Sequence, residues 1–480
     1  MDFRAVAQPI GWLMIVIAVF MLLPAAVDLS AGNADWSGFV LSAALVGCTG
    51  ATMALAFSAP SNVMRRREIF LFVNLAWVVS GLCAALPMMF GAARMSVSDA
   101  VFEAVSGLTT TGATVLTGLD TLPVGLLLWR SLLQWMGGIG IVVLGIWLLP
   151  GLRSGGAQLF AVESSETATK PYGRIEPFLM RLLVLYVGLT AAAGLLYRLG
   201  GMDAFQALNH ALTTVSTGGY STSDRSFGQF TALPLYWVAI VFMTLSSLPF
   251  LFLIRFVERG ERRDLPQIAF FLGLVACASL AAFTVLHLHA SADPWRELTL
   301  AVFHVVSVVS TTGYASEDYL RWGPFALTLF FLLTFFGGCS GSTSGGFKAF
   351  RAVALLRLIR TRVQLLIRPH RACAARYDGR RLTPDVAEGI FVFAIVYVGT
   401  FALFALVYAG AGLDLETALS ASITALANVG PGVGAIIGPA GTFQSLGDAT
   451  KLLLAYEMIL GRLEILAGLL VLLPEFWTGD

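Results

Sequence analysis

Charge is scarce in this 480-residue chain: Asp, Glu, Lys and Arg make up 12% of it and nearly cancel, to a formal net charge of +1. So even a balance gives no sign of a nucleic-acid or acidic partner. Cysteine is scarce too. Cys48, Cys83, Cys277, Cys339 and Cys373 are odd in number, scattered and mostly inside apolar runs, which excludes a disulfide framework. Histidine is as rare, and its placement argues against an enzyme. Gly338-Cys339-Ser340-Gly341 has the Gly-x-Ser-Gly look of an intramembrane serine nucleophile, but the only later histidine, His370, sits in an Arg-rich stretch rather than an apolar helix. There is no His-Glu-x-x-His and no pair of intramembrane aspartates. Glu457 and Glu464 stand nearly alone in apolar surroundings, too few for a proton relay.

Apolar residues, by contrast, make up 57% of the chain. Stretches such as 10–29, 69–90, 182–199 and 390–408 each approach the ~20 residues that cross a hydrocarbon core. The first contains Pro24 and lacks an Ala-x-Ala-like cleavage site, so it reads as a retained helix rather than a signal peptide. Basic residues collect at Arg65-Arg66-Arg67, at Arg255, Arg259, Arg262 and Arg263, and from Lys348 through Arg351, Arg357, Arg360, Arg362, Arg368, Arg371, Arg376, Arg380 and Arg381, which puts those loops in the cytoplasm. The alternate connections carry Asp99, Glu103, Asp203, Asp224, Asp293, Glu297, Glu317, Asp318, Asp414 and Glu416, an acidic outer rim expected to concentrate cations.

A pattern recurs four times: a membrane helix, a half-length helix ending at a Thr- or Val-Gly step, and a second membrane helix. The steps are Thr111-Gly112, Thr217-Gly218, Thr312-Gly313 and Val429-Gly430. The expected fold is all-α and polytopic, with four pseudo-repeated units of helix, pore helix, filter loop and helix around a central pore, plus an N-terminal two-helix hairpin. The hairpin occupies 1–60 and the units 61–150, 151–263, 264–381 and 382–480. The second helices are expected at 123–149, 232–257, 323–360 (broken by glycines) and 448–473. Each half-helix opens on acidic or capping residues, Ser98 with Asp99, Asp203, Asp293 with Pro294, and Asp414 with Glu416, so its carbonyl end points at the bilayer midplane. The polar, Gly-rich segments that follow cannot face lipid. Four of them at one axis can replace an ion's hydration shell with backbone carbonyls, at Thr110, Thr111 and Gly112; Ser216, Thr217 and Gly218; Thr311, Thr312 and Gly313; and Asn428, Val429 and Gly430. Asn428 stands where the other loops have Ser or Thr and can brace its loop through its amide. His210 and His304, on the second and third half-helices, are expected to pack behind the loops rather than bind metal, and His287 and His289 to lie at the outer interface.

Together with Gln134-Trp135-Met136-Gly137-Gly138-Ile139-Gly140, the glycine-rich run 336–348 and Gly461-Arg462-Leu463-Glu464, these loops resemble the Trk/Ktr/HKT superfamily of potassium transporters, and most closely its bacterial TrkH branch. The extra N-terminal hairpin looks like that branch rather than the shorter Ktr type. The resemblance implies potassium as the transported ion, no bound cofactor, a homodimer in the bacterial inner membrane with both termini cytoplasmic, and gating by a cytosolic TrkA-type nucleotide-binding protein. This chain itself has no phosphate-binding loop, since Gly345-Gly346-Phe347-Lys348 lacks the Gly-Lys-Ser/Thr order.

Glycines cost helix stability, up to ~1 kcal/mol each relative to Ala, so the run from 337 to 346 must break its helix. The resemblance makes this loop the gate, with Gly337, Gly338, Ser340, Gly341, Ser342, Thr343, Ser344, Gly345, Gly346 and Lys348. Arg462, a cation inside an apolar helix, is expected to hold the gate through backbone carbonyls and to raise an electrostatic barrier; the competing reading is an ion pair with Glu464 or Glu457. The competing function is a sodium- or proton-coupled cation symporter with relaxed potassium/sodium selectivity.

Overall fold

A computed structural model describes residues 1–58, 64–91, 93–147, 175–260, 265–290, 293–370 and 373–478. The boundary between the first two units lies outside these residues, as do Arg262, Arg263 and Arg371 of the basic clusters. The N-terminal hairpin is α1 (Phe3–Ser30) and α2 (Trp36–Ala56). Unit one comprises α3 (Arg66–Phe90), α4 (Val97–Leu108) and α5 (Val124–Trp147). Unit two comprises α6 (Ile175–Leu199), α7 (Ala204–Val215), α8 (Leu233–Ser246) and α9 (Phe250–Arg259). Unit three comprises α10 (Leu265–Ala290), α11 (Pro294–Val309), α12 (Pro324–Leu333) and α13 (Ala349–Ile367), followed by a small antiparallel ribbon, β1 (Arg376–Tyr377) and β2 (Arg380–Arg381). Unit four comprises α14 (Pro384–Gly410), α15 (Leu415–Ala427), α16 (Asp448–Arg462), α17 (Leu466–Leu470) and α18 (Pro474–Thr478).

Among the described residues seven helices are long and apolar enough to cross a membrane, eight if the bent pair α8–α9 is counted as one broken span. The 232–257 helix is therefore not continuous: α8 and α9 meet at 95°. Pro249 precedes α9 and cannot supply the backbone N–H that a continuous helix would need. Nor does the last helix run unbroken from 448 to 473. It ends at Arg462, where Glu464 and Ile465 take φ values of 62° and 43°, and resumes as α17.

The half-helices α4, α7, α11 and α15 begin at Ser96, Asp203, Asp293 and Asp414, whose side chains accept from backbone N–H groups of the first turn. In unit one the cap is Ser96 rather than Ser98 or Asp99: Ser98 Oγ donates to Asp448 Oδ1 at 2.6 Å, and Asp99 Oδ1 takes Lys451 Nζ at 2.6 Å, tying α4 to α16. The Thr417 hydroxyl and backbone N–H hold the Asp414 carboxyl below the usual carboxylate range. That cap stabilises α15 above the ordinary carboxylate pKa and is lost as the pH falls through the lowered one.

The hairpin is fastened to unit one by a buried carboxylate. Asp28 Oδ1 accepts from Gly125 N at 2.8 Å and from Asn33 Nδ2 at 3.2 Å, and a Cβ at Gly125 would collide with it.

Candidate functional site

Each half-helix stops in the same way. Thr110, Thr217, Thr311 and Asn428 all adopt left-handed backbone, at φ of 57°, 53°, 59° and 56°. For an L-residue this costs about 1–2 kcal/mol, so the surroundings must hold it. The chain then turns its next N–H groups back onto the half-helix. Thr111, Gly218, Thr312 and Val429 donate to the carbonyls of Ser106, Thr213, Ser307 and Thr424 at 2.9, 2.9, 2.9 and 3.0 Å. In units one, three and four the hydroxyl of that same residue locks the outgoing strand, with Ser106 donating to Ala113 O, Ser307 to Tyr314 O and Thr424 to Pro431 O. Unit two differs: Thr213 Oγ1 meets the Tyr314 hydroxyl at 2.5 Å, across to the third loop.

This shared geometry shifts the unit-two alignment by one residue. The position of Gly112, Gly313 and Gly430 falls to Gly219, with φ of 78°, and Gly218 takes the place of Thr111, Thr312 and Val429. Ser216 correspondingly aligns with Thr109 and Ser310 at the half-helix end. A Cβ at Gly112 would strike the carbonyl oxygen of Gly218, at Gly219 that of Thr312, at Gly313 that of Val429, and at Gly430 that of Thr111. The contacts therefore run from loop one to two, three, four and back to one. All four glycines line a single cavity of about 250 Å³.

Behind this ring lies a layer of polar braces: Asn428, His210 and His304 stand where the sequence placed them, whereas the bracing by Gln134, Arg130 and Glu103 was missed. Gln134 on α5 donates from Nε2 to Gly218 O at 2.6 Å and accepts at Oε1 from Tyr220 N at 3.1 Å, clasping Gly219 from both sides. Arg130, one turn earlier, pairs with Glu103 of α4. Glu103 also accepts from the Thr114 hydroxyl and Val115 N, and Arg130 donates to Ser221 O and lies 4.0 Å above the Tyr220 ring. His210 bonds Gln206 O and the Ser221 hydroxyl, and His304 bonds Leu300 O and Ser316. Asn428 Nδ2 bridges Thr111 Oγ1 at 3.0 Å and Met458 O at 2.9 Å. The Thr110 hydroxyl is buried without a partner.

The acidic rim is mostly occupied with structural work. Asp203, Asp293 and Asp414 cap helices, Asp99 pairs with Lys451, Glu103 with Arg130 and Glu297 with His287, and Glu317 accepts from Trp322 Nε1. Of these carboxylates only Asp224 lines the cavity, where it accepts from Gly118 N and Leu119 N.

On the other side of the ring, the run 337–346 is irregular backbone and fully engaged. Gly337 N donates to Phe347 O, Gly338 O accepts from Ala349 N, Ser340 N donates to Gln267 Oε1 and Gly341 O accepts from Phe250 N. Ser342 Oγ donates to Cys339 O, Ser344 Oγ to Ser310 O at 2.6 Å, and Gly345 N to Thr311 Oγ1 at 2.8 Å. Thr343 Oγ1 bonds Thr217 Oγ1, Val215 O and Ser246 O, so the bend between α8 and α9 receives the loop. Gly346 sits at φ 67°, and Lys348 Nζ donates to Ser344 O. Arg462 donates from Nη1 to Thr343 O at 2.9 Å and from Nη2 to Gly137 O at 3.4 Å. It pairs with neither glutamate: Glu464 takes Arg351 at 2.6 Å, and Glu457 accepts from Tyr408 and Ser422.

Among the described residues, seven helices of membrane-spanning length, four half-length helices and the ring of loops that follows them define a polytopic, helical membrane protein. A family model described as a cation transport protein, TrkH, matches residues 37–290 and 280–475, and the chain belongs to that family of membrane cation transporters, which are not enzymes. It is 43% identical over 470 residues to the Trk system potassium uptake protein TrkI of Halomonas elongata, covering 97% of this chain and 95% of that one. To the Trk system potassium uptake protein TrkH of Escherichia coli K12 it is 33% identical over 491 residues, covering 99% and 100%. The crystal structure of the potassium transporter TrkH from Vibrio parahaemolyticus superposes with a TM-score of 0.91 at 32% identity, covering 99% of this chain and 100% of that one.

Proposed function

We propose that this chain conducts potassium inward across the bacterial inner membrane through the four-loop ring, and that the loop 337–346 gates it. The observation that carries the reading is the cyclic contact of Gly112, Gly219, Gly313 and Gly430 with the carbonyls of the neighbouring loops, around one shared cavity. Backbone carbonyls at close quarters can replace an ion's hydration shell. The potassium uptake proteins among its relatives support potassium as the cargo. The ion-binding backbone is that of Thr110 to Gly112, Thr217 to Gly219, Thr311 to Gly313 and Asn428 to Gly430. Arg462, through Thr343 O, holds the gate shut. The chain acts as a homodimer with both termini cytoplasmic, and a TrkA-type nucleotide-binding protein moves the gate. Glu103, Glu457 and Glu464 are each held by separate partners and form no relay, which supports passive, potential-driven flux over coupling to protons.

Potassium and sodium uptake into proteoliposomes under a set potential, with Gly313→Ser in parallel, tests this. Potassium-selective flux that loses its selectivity in the variant supports the ring. Wild-type selectivity in the variant removes Gly313 from the filter and favours a coupled carrier.

A further inference from the structure

Between the loop 337–346 and the end of α16 lies a cavity of about 70 Å³ whose charge does not suit a cation. Its walls carry Lys348, Arg351 and Arg462 against one carboxylate, Glu464, which is already bound to Arg351 Nη2. Arg351 and Arg462 are each only 3% exposed. Both guanidinium groups keep a buried Nε–H that has no partner. A buried donor left without a hydrogen bond is costly, and here two residues that line one cavity each keep one, the Arg351 guanidinium lying 3.9 Å over the Phe393 ring. The N-terminus of α13 adds to the same sign. Lys348 is its N-cap and supplies no side-chain acceptor to the first turn, so the positive end of a 19-residue helix starts at the cavity wall. Lys348 and Glu464 are partly exposed, which leaves the cavity a solvent-facing side.

We propose that this cavity is a binding site for a phosphoryl oxyanion, either inorganic phosphate or the headgroup of an anionic phospholipid. Guanidinium forks match the oxygens of such a group, and a lysine adds a point charge. The anion adds to the ties between two walls, which the Arg351–Glu464 pair, the Arg462–Thr343 bond and the packing of Arg351 and Phe347 on the Phe393 ring already join: Lys348 and Arg351 belong to the start of α13, while Arg462 belongs to unit four. A ligand that binds only this arrangement stabilises it. The anion thus holds the loop in the position seen here. The site itself stands on the cavity; its effect on flux rests on the gate reading.

The test uses the full-length chain in nanodiscs, with radiolabelled inorganic phosphate as probe in a chloride background. Discs of phosphatidylcholine alone are compared with discs containing phosphatidylglycerol. One saturable phosphate per chain is expected in phosphatidylcholine, weakened about tenfold or more by Lys348→Gln through the loss of one charged contact. Arg462→Lys, which keeps the charge and loses the fork, is the second variant and should also weaken binding. Phosphate binding abolished by phosphatidylglycerol assigns the site to a lipid headgroup; binding indifferent to it assigns the site to free phosphate. No saturable binding in phosphatidylcholine discs, or binding that both folded variants leave unchanged, overturns the proposal. Since binding is read without ion flux, its failure is separable from a failure of the filter reading.

Discussion

Arg130 donates from Nε to Glu103 Oε1 at 2.7 Å, with both side chains at most 1% exposed. This pair joins the second helix of unit one to its half-helix, and through Thr114, Val115 and Ser221 it reaches the outgoing strands of loops one and two. Breaking it from one side strands a buried charge, which costs roughly 3–5 kcal/mol. Arg130→Met alone should lower the thermal unfolding midpoint sharply, whereas Glu103→Met with Arg130→Met should recover much of the loss. Fluorescence-detected unfolding of these two proteins and of Glu103→Met alone in detergent checks this, and a double-variant loss equal to the sum of the two single losses would show that the pair is not coupled.

The one-residue offset in unit two separates two neighbouring glycines. A methyl at Gly219 meets the backbone carbonyl of Thr312 and also needs a left-handed φ, whereas at Gly218 it meets the side chain of Gln134. Gly219→Ala should therefore reduce the potassium-to-sodium flux ratio at least about tenfold, a cost of ~1.4 kcal/mol, and Gly218→Ala less. Liposome flux under bi-ionic conditions measures both, and the opposite ranking would restore Thr217-Gly218 as the equivalent step.

Gln134→Ala removes both hydrogen bonds that clasp Gly219. Each is worth about 1 kcal/mol, more where a buried partner is left unmet. Selectivity should fall with little change in folded yield, because the side chain acts on one loop. Gln134→Glu tests the same point, since a carboxylate cannot donate to Gly218 O. Retained selectivity in both variants would contradict the clasp.

Arg462→Ala removes the donor to Thr343 O and leaves the loop tied by hydroxyl and backbone bonds. Basal flux of the chain alone should rise, severalfold or more. A fall in flux with intact folding would mean that the arginine supports conduction rather than closure.

The four loops were legible because each combines two local signals, an acidic or hydroxyl cap and a glycine that ends a half-helix. The offset in loop two was not, because Thr217-Gly218-Gly219 offers two glycines and the Thr-Gly pattern selects the first; only the backbone donor to Thr213 O settles the alignment. Pro249 could have signalled the bend between α8 and α9. Nothing local signals the break after Arg462: Leu463, Glu464 and Ile465 contain no helix breaker, and the left-handed turn is stabilised by packing and by the distant Arg351. The braces Glu103, Arg130 and Gln134 look like ordinary polar residues in sequence, since the bonds that join Glu103 to Arg130 and both Arg130 and Gln134 to loop two span 27 to 91 residues.

Asn428 and Thr111, which join the last loop to the first, are 317 residues apart in the chain. The ring therefore cannot close until the fourth unit has been synthesised and inserted. A nascent chain holding one, two or three units lacks the carbonyl contacts that complete the circle. If the ring is the filter proposed above, this order of assembly has a cellular consequence: selective passage begins only with the finished molecule, never with a partial chain.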